Sequence, residues 1–337
     1  METAIQYKKE NNRVECGICS HRCTLSEGAV GICGVRKNID GSIKSLVYGK
    51  LVARSIDPIE KKPFYHIEPG SKSYSIATVG CNFSCRFCQN SDIAQFPVEH
   101  PGMIPGDTAT PENIIDDAIN NNCSSIAYTY NEPAMFFEFA LETARLANAK
   151  NVKNVFVTNG YMTDEAVDMI SPFLDAANID LKAFSDDFYK KYCGARLEPV
   201  KRTIKKMRAV GIFVEITTLI IPGLNDGRNE IEQMARFISD EVGTETPWHL
   251  SRFYPSYRLR NIQQTPVSTL HMARDIGVKY GLKYVYTGNV PGDSSENTYC
   301  YKCQSLLIDR TGYRISENRI INYSCPSCGS KIHGVDL

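Results

Sequence analysis

The sequence predicts an α/β fold, a partial (β/α)6 barrel with a small cysteine-rich segment before it and a compact ribbon after it. Three observations predict this. Strand-like and helix-like segments alternate six or seven times between residues 73 and 296, which implies a parallel sheet with helices outside. The eight units of a closed barrel are not evident. Of the 13 cysteines, 11 fall into three tight groups, two of them flanking the alternating stretch. The expected division is a four-cysteine segment and connector over 1–72, the partial barrel over 73–296, and a small cysteine-bearing domain over 297–337.

The elements follow in order. Residues 1–72 hold the first cysteine group and then SIDPIEKKPFYHIEPG, which reads as a Pro-punctuated connector. The strands are SYSIATVG (73–80), SSIAYTY (124–130), NVFVTNG (154–160), AANIDLKAF (176–184), IFVEITTLII (212–221), WHLSRFYP (248–255) and KYVYTGN (283–289). Between them lie helical patterns. PENIIDDAINN opens with Pro at a helix start and early acids that suit the dipole. AMFFEFALETARLANA has helical periodicity, and TDEAVDMISPFL begins with Thr163 as an N-cap. PVKRTIKKMRAVG, NEIEQMARFISDEV and VSTLHMARDIGVKYG complete the series. IPGLNDG is a loop after the fifth strand, rich in turn formers. No low-complexity segment interrupts the chain.

Composition narrows the class. Hydrophobic residues make up 42% and charged residues 23%, and 38 basic balance 38 acidic side chains. A net charge of zero provides no global field toward nucleic acid or an acidic membrane. The N-terminus METAIQYKKENN lacks the apolar stretch of a signal peptide, and no run of about 18 apolar residues is present. The expected location is the cytoplasm, with no membrane partner. There, short-spaced cysteines read as thiolate metal ligands rather than disulfides.

The middle group, Cys81, Cys85 and Cys88, has the spacing C-x3-C-x2-C at the end of the first barrel strand. Iron–sulfur clusters normally take four thiolates, so three leave one iron open to a substrate or cofactor. The bland alternative is a zinc site that borrows a fourth ligand. The C-terminal group, Cys300, Cys303, Cys325 and Cys328, forms two C-x2-C knuckles around a hairpin-length spacer, the pattern of a zinc ribbon. A rubredoxin-like iron or a second cluster is the alternative there. A domain of about 40 residues has little core, and a metal would stabilise it. The N-terminal group, Cys16, Cys19, Cys23 and Cys33, has four ligands with His21 among them, and suits zinc or a second cluster. Cys123 reads as a buried free thiol. Cys193 follows the fourth strand, near the active face. KRTIKKMR (201–208) is either a solvated helix face or a docking site for an acidic partner.

GCNFSCRFCQNSDIAQ, placed before this alternation, resembles the radical S-adenosylmethionine (SAM) superfamily. With DPIEKKPFYHIEPG, YTYNEP, FVTNGY, DLKAF, IPGLND and CPSCGSKI, nearly the whole chain is similar to one subfamily. That subfamily is the radical SAM enzyme of the AmmeMemoRadiSam system, related to pyruvate formate-lyase activating enzymes. The resemblance makes the partial barrel a radical SAM core and the open iron the one chelated by SAM. It implies reductive cleavage of SAM to methionine and a 5′-deoxyadenosyl radical that abstracts hydrogen from a glycyl residue or a small molecule. It also implies a 4Fe–4S cluster, SAM and Zn2+ as cofactors, and a flavodoxin or ferredoxin-type reductant. A glycyl radical enzyme, or Memo-like and AMMECR1-like proteins, would be partners.

The resemblance also assigns side chains. Phe87 stands where an aromatic residue lies beside the adenine. Asn131 and Glu132 of YNEP stand where many members carry a Gly-Gly-Glu-Pro-like motif that meets the methionyl amino group; the glycines are absent here. His249 stands where the activating enzymes have a histidine near SAM. Position adds Thr158 and Asn159 at the end of the third strand. Asp180 and Lys182, two apart, would share one strand face, either pairing or meeting the cofactor. The bland readings are a helix start for Glu132, turn residues for Thr158 and Asn159, and a structural strand histidine for His249. Two other functions compete, a zinc-bound interaction module and an RNA-modifying radical SAM enzyme. The neutral charge weighs against both.

Overall fold

The computed structural model describes residue 1 and residues 3–10 and 12–337. Its centre is one eight-stranded sheet: β1 (Ala53–Pro58), β2 (Lys72–Ala77), β3 (Ser125–Tyr128), β4 (Lys153–Thr158), β5 (Ala176–Asp180), β6 (Phe213–Ile220), β7 (Trp248–Arg252) and β8 (Val285–Gly288). Spatial order follows chain order from β1 to β8. Strands β2 to β8 pair in parallel, and β1 pairs antiparallel with β2 over all six residues. Strand β1 corrects the connector reading: residues 53–58 are a strand. ARSIDP contains a Pro and few apolar residues, yet an antiparallel edge strand tolerates both.

Among the described residues, six helices of seven residues or more lie in the crossovers from β2 to β8: α1 (Pro111–Asn120), α2 (Phe137–Asn148), α3 (Asp164–Ile170), α4 (Leu197–Ala209), α5 (Arg228–Phe237) and α6 (Val267–Lys279). Local chemistry sets their starts. Thr110 and Asn113 form a reciprocal capping box ahead of Pro111, and the Thr163 hydroxyl accepts from the Ala166 amide at 3.2 Å. Strands buried on both faces carry continuous apolar runs such as Ile126–Tyr128, as parallel sheets require. Several strands end earlier than their apolar runs. Residues 181–184 leave the sheet after Asp180, where the Leu181 amide turns back to the Ile179 carbonyl.

The flanking segments pack on this frame. Near the N-terminus, Gln6–Lys8, Val14–Cys16 and Thr24–Leu25 form a small antiparallel sheet, and Arg36–Ile39 pairs with Ser42–Ser45. Val14, Ile18, Val35 and Ile43 belong to the same apolar cluster as the helices. A buried ion pair, Arg36 to Glu138 of α2 at 2.9 Å, ties the segment down. At the C-terminus Thr298–Tyr299, Leu306–Thr311 and Arg314–Asn318 form a second antiparallel sheet. Its core contains Leu307 and Ile308 and extends to Tyr65, Tyr284 and Tyr286. Among the described residues, no helix is long and apolar enough to cross a membrane.

Candidate active site

A cavity of about 970 Å³ opens at the C-terminal ends of the strands. Cys81, Cys85 and Cys88 line it, and so do Phe87, Asn131, Glu132, Thr158, Asn159, Asp180, Lys182 and His249. Every residue read from the sequence as a contact of the open-iron cofactor thus faces one space. Most of the side chains come from the C-terminal ends of β2 to β5, where a parallel sheet exposes its functional edge; His249 comes from the first residues of β7.

Glu132 is the most constrained of them. It lies just beyond β3 and is 2% exposed. Its carboxylate accepts from the Thr158 hydroxyl at 2.8 Å, the Asn159 amide at 2.8 Å and the Ala134 amide at 3.2 Å. Burial nevertheless pushes its pKa up to about 7, so three donors do not fully replace water. A cationic ligand beside it would restore the charged form. Asn131 donates to the Gly80 carbonyl at 2.9 Å, while its own buried Oδ1 has no partner. An unsatisfied acceptor next to a buried carboxyl suits an ammonium-bearing molecule.

Asp180 and Lys182 form an ion pair at 2.8 Å. Lys182 sits beyond the strand end, its amide held by the Tyr189 hydroxyl at 3.0 Å. Burial opposes its charge, but Asp180, Cys85 and Cys193 outweigh burial and raise its pKa well above the ordinary value. Its ammonium lies 5.8 Å from the centre of the Phe87 ring. His249 is fixed by Glu215 of β6, with Nε2 to Oε2 at 2.6 Å. Glu215 also accepts the backbone amides of Tyr65 and His66. The His249 ring stacks on Tyr286 at 5.3 Å and meets the edge of Tyr65 at 4.7 Å.

The three thiols have distinct settings. Burial raises Cys88 to about 11 and Cys81 well above its ordinary value. Bare thiolates are therefore disfavoured at both, and a cationic metal centre is what would hold them as ligands. Cys85 is shifted down, first by a hydrogen bond with Cys193 and then, against burial, by Lys182. Cys193 is fully buried behind the triad and is not among the cavity residues. The donor set, three thiols facing a cavity that also holds Glu132, Asp180 and Lys182, fits a 4Fe–4S cluster with one open iron.

The C-terminal cysteines converge. Their four sulfurs lie within 4.8 Å of one another, with Cys300–Cys328 and Cys303–Cys325 each at 3.6 Å. A tetrahedral ion with Zn–S bonds of about 2.3 Å places sulfurs about 3.8 Å apart, so the set fits one such ion. Cys16, Cys19, Cys23 and Cys33 line a separate small pocket with His21. Cys123 is buried and lies in neither group.

Sequence reasoning missed the other walls of the large cavity. Glu60, Lys62 and Tyr65 come from the connector after β1, Glu296 from the turn that follows β8, and Thr311–Tyr313 from the C-terminal segment. Tyr254 and Asn289 follow β7 and β8, and the strand-end rule could have found them. Glu215, a carboxylate inside the apolar run of β6, was also a visible signal. The basic stretch 201–208 resolves toward the bland reading. Its cations pair with Glu198, Asp164, Glu241, Asp168 and Glu245.

Residues 75–238 match the family model of the radical SAM superfamily. It is 45% identical over 338 residues to the uncharacterized protein MJ0808 of Methanocaldococcus jannaschii, spanning 98% of this chain and 99% of that one. It is 22% identical over 200 residues to the pyruvate formate-lyase-activating enzyme of Clostridium pasteurianum, covering 55% of this chain and 81% of that one. SuiB of Streptococcus suis bound to S-adenosylmethionine shares the fold at TM-score 0.50 and 13% identity, over 63% of this chain and 49% of SuiB. The protein is an enzyme related to glycyl-radical activating enzymes, and its family implies a 4Fe–4S cluster and SAM.

Proposed function

We propose that this protein is the radical SAM enzyme of an AmmeMemoRadiSam system, built as a four-cysteine segment and connector (1–72), a partial (β/α)6 barrel (73–296) and a zinc ribbon (297–337). Cys81, Cys85 and Cys88 hold the 4Fe–4S cluster. Asn131 and Glu132 receive the methionyl ammonium of SAM, with Thr158 and Asn159 fixing the carboxylate of Glu132. Lys182, oriented by Asp180, meets the carboxylate or ribose, and Phe87 lies against the adenine. His249, oriented by Glu215, borders the same space. When bound and reduced, cluster and SAM supply a 5′-deoxyadenosyl radical for hydrogen abstraction. The observation that carries this reading is the convergence of eleven side chains, Cys81, Cys85, Phe87, Cys88, Asn131, Glu132, Thr158, Asn159, Asp180, Lys182 and His249, from five strands and the loops after them, on one cavity.

A flavodoxin or ferredoxin-type reductant supplies the electron. The relatives favour a glycyl residue of a partner enzyme as the hydrogen donor, with Memo-like and AMMECR1-like proteins in the same pathway. A small-molecule substrate is the second reading, favoured by Glu296 and Tyr313, which add a polar wall to the cavity beside the strand ends. A tRNA or other RNA substrate is disfavoured by the zero net charge. The test is anaerobic purification, reconstitution with iron and sulfide, and addition of dithionite and SAM. 5′-Deoxyadenosine should form, and Cys81→Ala, Cys85→Ala and Cys88→Ala should each abolish it. A fully loaded cluster that yields none overturns the proposal.

A further inference from the structure

The four N-terminal cysteines are not used by this chemistry, and they differ from the C-terminal four in a way that bears on what they hold. A single tetrahedral ion draws its sulfurs to about 3.8 Å, and the C-terminal sulfurs stand at that spacing. Among the described residues, no second group of three or more His, Cys, Asp or Glu ligand atoms converges within 4.8 Å. Cys16, Cys19, Cys23 and Cys33 surround one pocket yet remain further apart than a mononuclear site requires. The wide set shares this trait with Cys81, Cys85 and Cys88. A cluster explains it, because several irons and sulfides stand between its ligands.

The lining of that pocket carries a second, independent observation. Asn82 is 1% exposed and Arg36 is 2% exposed, and both lie on the pocket wall. Asn82 Nδ2 and Arg36 Nε have no hydrogen-bond acceptor. A buried unsatisfied N–H costs about 1–3 kcal/mol, so two of them on one small pocket call for an anionic acceptor there. Thiolates and bridging sulfides provide one.

We propose that Cys16, Cys19, Cys23 and Cys33 ligate a second iron–sulfur cluster, with Arg36 and Asn82 donating hydrogen bonds to its sulfurs. This site adjoins the first. Asn82 is the residue after Cys81; its carbonyl accepts from His21 Nε2 at 2.8 Å and its Oδ1 from Asn159 at 2.7 Å. Asn82 therefore joins the wall of this pocket to Cys81 and Asn159 of the first site.

The test counts metals, not turnover. Wild-type protein reconstituted without oxygen should carry about eight irons and eight sulfides, on the basis of two four-iron clusters. The Cys81→Ala/Cys85→Ala/Cys88→Ala variant should keep about half of both, with the Mössbauer signature of a four-iron cluster. Cys19→Ser/Cys33→Ser should lose the other half. The inference rests on the proposed function only for the first cluster. A protein with eight irons that forms no 5′-deoxyadenosine would overturn that function and leave the second cluster standing. Wild-type protein with about four irons and two zincs per chain, or a triple variant holding zinc and no iron, overturns the second cluster. Should the double variant fail to fold, the wild-type count and the triple variant decide alone.

Discussion

Acid should loosen the C-terminal segment through one histidine, His66. This side chain belongs to the connector, is fully buried, and sits in a hydrogen-bond chain whose direction can be assigned. Arg310 donates to Thr298 Oγ1 at 2.6 Å, Thr298 to the Tyr286 hydroxyl at 2.9 Å, and Tyr286 to His66 Nε2 at 2.6 Å. His66 Nδ1–H then donates to the His333 carbonyl at 2.6 Å. The carbonyl can only accept, so Nδ1 bears the proton and Nε2 must be bare. Burial, only partly offset by Glu215, lowers the His66 pKa from 6.5 to about 4. The unfolded chain therefore binds the extra proton first as pH falls. The stabilisation is fully present above pH 6.5 and is lost as pH drops through 4, a difference of about 3 kcal/mol at 1.36 kcal/mol per pH unit. His66→Gln keeps a donor and an acceptor and cannot gain the proton. Urea unfolding of both proteins at intervals between pH 4 and 6.5 should show the wild type losing stability relative to the variant by about that amount. Equal pH slopes for the two proteins would refute the reasoning, and the comparison cancels any acid lability of the clusters.

Three further outcomes are expected. Glu138→Ala strands the buried Arg36 guanidinium and should cost about 3–5 kcal/mol in denaturant unfolding; a loss below 1 kcal/mol means that the Arg36–Glu138 pair is not the anchor of the N-terminal segment. Glu132→Gln replaces a charged acceptor and should weaken SAM binding about 10- to 150-fold, from the ~1.5–3 kcal/mol of a charged hydrogen bond, with the cluster absorbance unchanged. Unaltered SAM affinity would remove Glu132 from the cofactor site. Cys325→Ser should release one zinc per chain and speed amide exchange across 297–337; retention of that zinc would place it elsewhere.

The parts of the site legible in the sequence are those fixed by local spacing. Cys81, Cys85 and Cys88 needed only their intervals and a preceding strand. Glu132, Thr158 and Asn159 needed only the rule that a parallel sheet exposes its strand ends. Asp180 and Lys182 were placed on one strand face; the chain in fact leaves the sheet between them, and both still reach the cavity because the turn keeps them within ion-pair distance. What spacing could not give was long-range closure. The reversal that makes residues 53–58 an antiparallel edge strand depends on pairing with β2, which no local signal in ARSIDP announces. Tyr65 and Tyr313 meet the cavity only because distant segments pack together. The basic stretch 201–208 could not be decided locally for the same reason, since four of its partner acids come from other helices or loops.

Arg310 gives the sheet a keystone. Its guanidinium reaches the Tyr65 carbonyl at 2.7 Å, just beyond the strand that starts the sheet, and lies 6.0 Å from the ring of Tyr286 on the strand that ends it. The two margins of the sheet do not pair with each other; the C-terminal segment spans the interval between them. Part of the cavity wall, Thr311–Tyr313, is thus supplied by residues remote in sequence from the cysteines and from the strand ends. Exchanging Thr311–Tyr313 would reshape what enters while leaving the radical-generating apparatus intact, so in this architecture substrate range can diverge without touching the chemistry.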